Sequence, residues 1–327
     1  MIPTFLYPER LVCVVPYELE NRLVVGVASS AVFDLTESDE VFRRDGEEKY
    51  RQFQKKHLND PLDKGIAFSF VRRLLSLNDL SDDPLNDPVV EVVLLSRNDP
   101  DTGLRVMKSI SHHSLQITRA VFMQGKSPID YIPALNIALF LSANADDVKA
   151  AIEKGHPAGQ VLESAVVDDE HDDELRIAFD FDGVLADDES ESVMQTQNLE
   201  SFHDHEVRNQ MQPHNPGPLK EFLIRVAKIQ SSEEAKRRSD PTYTNRLRVS
   251  LVTARNAPSH ERAINTLKSW GVMPNDAFFL GGVEKLKVLR VMKPHIFFDD
   301  QSGHLEKAAT VVPSVHIPFG VTNRLSE

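Results

Sequence analysis

Residues Arg176–Glu191 read RIAFDFDGVLADDESE, and the order of side chains in this stretch decides the fold. Ile177, Ala178 and Phe179 form a short apolar run of the kind that buries as a parallel strand. Asp180 therefore falls at the carboxyl end of a strand, where open α/β sheets place their ligand crevices. Asp182 follows two residues on, and Gly183 lets the chain turn away. Two acids so placed suit phosphoryl transfer: Asp180 attacks phosphorus, and Asp182 passes a proton to the leaving oxygen.

In a chain with 50 acidic residues, an isolated DxD pair is ordinarily a solvated loop or a helix cap, so the reading rests on three later segments. VSLVT, residues 249–253, is a second apolar run ending in a hydroxyl. There Thr253, with Ala254 and Arg255 after it, can meet a phosphoryl group. Lys285 follows a turn marked by Gly281 and Gly282 and offers a cation, with Lys287 in reserve. HIFF, residues 295–298, delivers Asp299 and Asp300 to the same sheet edge, as magnesium binding by carboxylates and water requires. These four motifs, in this order, resemble the haloacid dehalogenase (HAD) superfamily of phosphatases.

At 327 residues and 41% hydrophobic content the chain can bury a large core and is expected to form two domains. A net charge of -13 sets nucleic acid and anionic membrane aside as partners, since either polyanion is repelled at long range. Cys13 is the sole cysteine, so no intrachain disulfide forms and a reducing compartment is expected. Glu9 and Arg10 interrupt the first apolar stretch, and Leu11–Pro16 is too short for a signal peptide or membrane span, which makes the cytoplasm the expected location.

The first half of the chain echoes the second. LVVGVASSAVFDL from Leu23 parallels LRIAFDFDGVLAD from Leu175, and GIAFSFVRRLLSLN from Gly65 parallels GPLKEFLIRVAKIQ from Gly217 at the same offset. Arg97 in LLSRNDP parallels Arg255, Lys126 in FMQGK parallels Lys285, and ALFLSAN parallels IFFDDQS. The fold expected is therefore α/β, with two tandem HAD-like (Rossmannoid) units whose sheets are parallel. Residues 1–21 form an N-terminal segment, 22–165 a first unit, 166–174 an acidic linker, and 175–327 a catalytic unit with a cap inserted at about 187–246. In the echo, Ala28 and Ser30 replace Asp180 and Asp182, while Ser142 and Ala143 replace Asp299 and Asp300. The first unit is thus expected to be non-catalytic, serving as scaffold, as a homo-oligomer surface, or as one wall of the substrate pocket.

DDESES after the first motif, GPLKEFL, LVTARN, KSWGV and above all KPHIFFDDQ resemble the cytosolic 5'-nucleotidase type I family, as do FLSAN and GKSP in the first half. The resemblance implies a magnesium-dependent hydrolase of nucleoside 5'-monophosphates, AMP foremost. It also implies Asp180 as nucleophile, Asp182 as general acid and base, Thr253 and Lys285 on the phosphate, and a metal held by Asp180 and Asp182 together with Asp299 or Asp300. Phe181 departs from the pattern, standing between the acids where related animal proteins carry glycine. Two other readings stay open: a HAD phosphatase of a sugar phosphate, and a nucleotide-binding regulatory protein with residual activity.

Within the cap segment, Phe202, His203 and Tyr243 are candidates to stack on a base, and Lys126 is a candidate to reach the substrate from the first unit. Asp188 with Glu191 has capping-box spacing, so this acidic run is expected to start a helix rather than bind a second metal. His203, His205 and His214 match no firm zinc spacing and are expected on the cap surface. SSEEAKRRSDP, Ser231–Pro241, is expected as a solvated loop or frayed helix.

Overall fold

The computed structural model describes residues 17–324, so Cys13 and nearly all of the expected N-terminal segment lie outside the described residues. Ten short strands follow in chain order: β1 (Leu23–Val27), β2 (Val90–Ser96), β3 (Arg119–Phe122), β4 (Leu139–Ser142), β5 (Ala158–Val161), β6 (Leu175–Phe179), β7 (Leu247–Thr253), β8 (Asp276–Phe279), β9 (Ile296–Asp299) and β10 (Ser314–His316). Most of these runs are apolar and carry no in/out alternation, as expected of strands covered on both faces by helices. The architecture is mixed α/β with a largely parallel central sheet of the Rossmann-like kind. No helix among the described residues is long and apolar enough to cross a membrane.

All ten strands form one sheet in the order β3-β2-β1-β4-β5-β10-β9-β6-β7-β8. The first five are mutually parallel, the last five are mutually parallel, and the single antiparallel contact is β5 with β10. Where the sequence suggests two parallel sheets, the halves instead share one sheet and run in opposite directions. Their strand orders correspond position by position, β1 to β6 through β5 to β10. The carboxyl ends of the two sets of strands therefore lie on opposite edges, a consequence that sequence similarity cannot reveal.

Two glycines show why the echo extends to the backbone. A Cβ on Gly65 would stand 2.8 Å from the backbone nitrogen of Phe33, and one on Gly217 would stand 2.4 Å from the carbonyl oxygen of Ala186. Each lets the loop before a core helix cross the turn after the first strand of its half. Phe68–Ser76 then buries Phe70, Val71 and Leu74, while Lys220–Ser239 buries Phe222, Leu223 and Val226. Burying each such side chain contributes about 1.5–3 kcal/mol.

The segment 187–246 divides in two. Helices Glu189–Thr196 and Leu199–Arg208 pack on each other beside the site, whereas Lys220–Ser239 belongs to the layer against the sheet. Ser231–Pro241 is no loop: the helix runs to Ser239 because Glu233, fully buried, accepts hydrogen bonds from Tyr243 Oη (2.7 Å), Arg246 N (2.8 Å) and Leu247 N (3.0 Å). Asp188 occupies the N-cap of helix Glu189–Thr196 but makes no capping hydrogen bond through its side chain. The acidic linker is fastened down, with Arg73, only 1% exposed, pairing with Asp168 at 2.8 Å and donating to the carbonyls of Asp169 and Asp172.

Candidate functional site

Strand geometry brings the four motifs together. Asp180 directly follows β6, Thr253 ends β7, Asp299 ends β9, and these strands are neighbours in the sheet. Asp180 N donates to Phe298 O at 2.8 Å, which fixes the first acid beside the last pair. Gly183, at φ +71°, turns the chain next to Asp300; a Cβ there would lie 2.6 Å from that carboxylate. Only glycine admits the close approach without displacing the acid.

Lys285, 5% exposed, donates to Asp180 Oδ2 and Asp299 Oδ2, both at 2.7 Å. Burial pushes the Asp180 carboxyl up to about 7; Lys285 works against that rise and Asp299 adds to it. Burial also opposes ionisation of Asp299, yet Lys285 and His304, 3.4 Å away, hold it below its ordinary value. Lys285 itself is held above its ordinary value, because the two carboxylates outweigh its burial. One lysine thus serves two buried acids.

Oxygens of Asp180, Asp299 and the equally buried Asp300 lie within 4.8 Å of one another. Three converging carboxylates against a single cation form a hard oxygen donor set short of positive charge, which fits a divalent ion such as magnesium. A hollow of about 180 Å³ adjoins Lys285, with Ala254, Gly282 and His304 in its lining. Ala254 is exposed toward it, while Thr253, 1% exposed, accepts from Arg255 N at 3.2 Å.

The second acid of the motif has a different partner. Arg255 grips Asp182 with two hydrogen bonds, Nε to Oδ2 at 2.7 Å and Nη2 to Oδ1 at 2.6 Å. Its remaining nitrogen, Nη1, pairs with Glu206 on helix Leu199–Arg208. Glu206 is 1% exposed and also takes Arg262 Nη1 at 2.9 Å and Ser190 Oγ at 2.7 Å, with His214 Nε2 at 3.3 Å. The sequence points to Arg255 as a substrate ligand; the structure places it as a buried link between Asp182 and helix Leu199–Arg208. Phe202 is 7% exposed with the Arg255 guanidinium over its ring at 5.4 Å, so it packs rather than presents a free face.

His214 is buried, not on the surface, and His203 Nε2 lies 3.0 Å from Asn256 Oδ1. Lys126 is not brought to this site. It follows β3 at the outer end of the other half, on the opposite edge, and seven strand spacings separate β3 from β6, roughly 33 Å. Ladder register also puts Arg97 opposite Ala254 rather than Arg255, since Val27 pairs with Leu94 as Phe179 pairs with Leu251.

Sequence reading missed the Glu206 hub. LESFHDHEVR alternates charges like any solvated helix, and nothing in its spacing marks the last of its acids as buried between two arginines. Glu206→Gln should lower the unfolding free energy by about 3 kcal/mol, because it leaves two buried guanidiniums short of their shared anion. Burial raises the Glu206 carboxyl, but the His214 hydrogen bond and the Arg255 charge more than reverse this and hold it well below its ordinary value. Its stabilisation is therefore complete above the unfolded value of 4.5 and is lost as pH falls toward the depressed folded value. Urea denaturation at pH 7 and below pH 4.5 should show the gap between wild type and variant narrowing in acid; a gap constant with pH would dissociate Glu206 from the arginines.

Comparison with known proteins meets this geometry. A sequence profile described as 5'-nucleotidase matches residues 15–324. Human cytosolic 5'-nucleotidase 1B is 33% identical over 296 residues, covering 90% of this chain and 48% of that protein. The chain thus spans about half the length of the curated relative it matches. On the profile match across nearly its whole length, the chain belongs to the 5'-nucleotidase family.

Proposed function

We propose that the protein is a phosphoric monoester hydrolase that cleaves nucleoside 5'-monophosphates, AMP among them, at the Asp180 centre with magnesium. The observation that carries this reading is the buried convergence of Asp180, Asp299, Asp300 and Lys285 at the carboxyl edge of β6 and β9. Family membership supports the nucleotide as substrate. A fold of two tandem HAD-like units, residues 22–165 and 175–327 joined by 166–174, belongs to the same proposal and is supported by the matching strand orders.

In this scheme an oxygen of Asp180 attacks phosphorus, the bond from phosphorus to the 5'-oxygen breaks, and Asp182 protonates the departing nucleoside. Water then cleaves the aspartyl phosphate, with Asp182 taking its proton, which returns both acids to their starting states. Asp180, Asp299 and Asp300 would hold the magnesium, which would offset negative charge on the phosphoryl oxygens, while Asp182, expected from the sequence as a further ligand, lies outside that cluster with both oxygens on Arg255. Lys285 adds a fixed cation, and Thr253 Oγ1 a neutral hydrogen bond. Both Asp182 oxygens are engaged by Arg255, so proton delivery requires one of them to be freed. Glu206 ties Arg255 to the inserted helices, and their movement over the site is the motion that would re-aim the clamp.

Phosphate release should be measured from AMP, IMP, CMP and UMP beside hexose and triose phosphates, with magnesium and with excess chelator. The nucleotides should show the higher kcat/KM, and chelation should silence release reversibly. A sugar phosphate turned over faster would overturn the substrate assignment; full activity in chelator would overturn the metal site.

A further inference from the structure

The other edge of the sheet carries a second crevice. About 380 Å³ opens at the carboxyl ends of β1, β2 and β4, lined by Ser30, Ser96, Arg97, Asn98, Ser142 and Asn144 among others. Its hydrogen-bond frame reproduces that of the Asp180 site. Ala28 N donates to Leu141 O at 2.7 Å, as Asp180 N does to Phe298 O. Asn98 N donates to Ser96 Oγ at 3.1 Å, as Arg255 N does to Thr253 Oγ1. Asn144 N donates to Ser142 Oγ at 3.1 Å, as Gln301 N does to Asp299 Oδ1 at 2.9 Å.

What changes is the charge. Ala28, Ser30, Ser142 and Ala143 stand where the other edge has four carboxylates, so no aspartyl nucleophile is present, and the acids left in the lining, Asp39 and Asp147, are matched by Arg43 and Arg97. Arg97 remains at the mouth, its side chain 44% exposed although Asp147 takes its Nε at 2.8 Å and its Nη2 as well, while Nη1 donates to Gly125 O at 3.3 Å, so a phosphoryl group would bind its outer face beside the Asp147 pair. Arg43 stands beside it on Thr36–Lys56, with Asp39 on the same helix as the facing acid. This helix bends at Gly46, φ +80°, and a neighbouring hollow of about 410 Å³ that shares Arg97, Asn98 and Asn144 runs beneath it. There Phe42 is 50% exposed, edge-on to Tyr50 at 5.6 Å, and Tyr50 Oη donates to Asn98 Oδ1 at 3.1 Å. Hydroxyls and guanidinium at one end and an open aromatic face at the other form a site for a flat base joined to a phosphate.

We propose that the first half holds a second, non-hydrolysing site for a nucleoside monophosphate: Ser30, Ser142 and Arg97 take the phosphoryl group, Phe42 takes the base, and no metal takes part. It lies on the edge opposite Asp180 and stands or falls independently of the hydrolytic assignment.

The test is equilibrium binding of AMP to full-length Asp180→Asn protein in excess EDTA, by titration calorimetry. One AMP should bind per chain. Ser142→Asp, which restores a carboxylate at the phosphoryl end, should weaken binding by about tenfold or more through like-charge repulsion. Arg97→Ala should weaken it comparably and serves if the first variant does not fold. Phe42→Ala should weaken AMP while sparing inorganic phosphate. No binding in EDTA would overturn the proposal, as would binding indifferent to both Ser142→Asp and Arg97→Ala. Inorganic phosphate binding as tightly as AMP would overturn the role of Phe42.

Discussion

Asp180→Asn should reduce phosphate release by more than about a thousandfold while the protein stays folded, since the amide keeps the shape and loses the attacking oxygen. Structural effects should be small because the amide retains a carbonyl oxygen for Lys285, and Asp299 keeps its own 2.7 Å contact with that lysine. Burial raises Asp180 to about 7, so the wild-type fold bears a cost for ionising this group that grows as pH rises above the unfolded value of 3.8 and levels off above the folded one. Asparagine removes that cost. In chelator, the melting temperature of the variant relative to wild type should therefore rise as pH climbs from 3.8 to about 7 and stay level beyond. Steady-state kinetics and thermal melts check both parts. Retention of more than a few per cent of activity, in protein free of other phosphatases, would remove Asp180 from the nucleophile's role.

Lys285→Met should be the most damaging change to stability and activity together. It leaves Asp180, Asp299 and Asp300 facing one another in a buried space without the lysine, and breaking such a pair costs about 3–5 kcal/mol. A distinctive rescue follows. Magnesium should raise the melting temperature of the variant more than that of wild type, because the ion replaces the positive charge the cluster has lost. Activity should stay low even at saturating magnesium, since the phosphoryl group still lacks the lysine. Equal shifts with magnesium in both proteins would show that Lys285 and the metal do not share these carboxylates.

The Asp180 strand, the Thr253 strand and the Asp299–Asp300 strand were legible because each is a short apolar run ending in chemistry, and strand-end residues in a parallel sheet must meet at one edge. The echo between halves was legible for the same reason, as local patterns such as Gly65 and Gly217 repeat where the backbone crosses itself. Direction was not legible. Only the antiparallel pairing of β5 with β10, Val161 opposite Val315, decides that the halves oppose, and strands three and four residues long carry no such signal. That reversal is what carries Lys126, in the loop after β3, to the edge opposite Asp180. Arg255 and Glu206 were obscured differently: ion pairing across 49 positions depends on how helices Glu189–Thr196 and Leu199–Arg208 settle on the site, and a charged helix has the same pattern whether its acids face solvent or a buried arginine.

The central claim is that phosphorus passes through Asp180. Wild-type protein mixed with AMP and magnesium, quenched in acid within the first turnover and mapped by peptide mass spectrometry, should carry one phosphoryl group on Asp180 and nowhere else. Phosphate released in that first turnover with Asp180 unmodified, or a phosphoryl group found on another residue, would contradict the account.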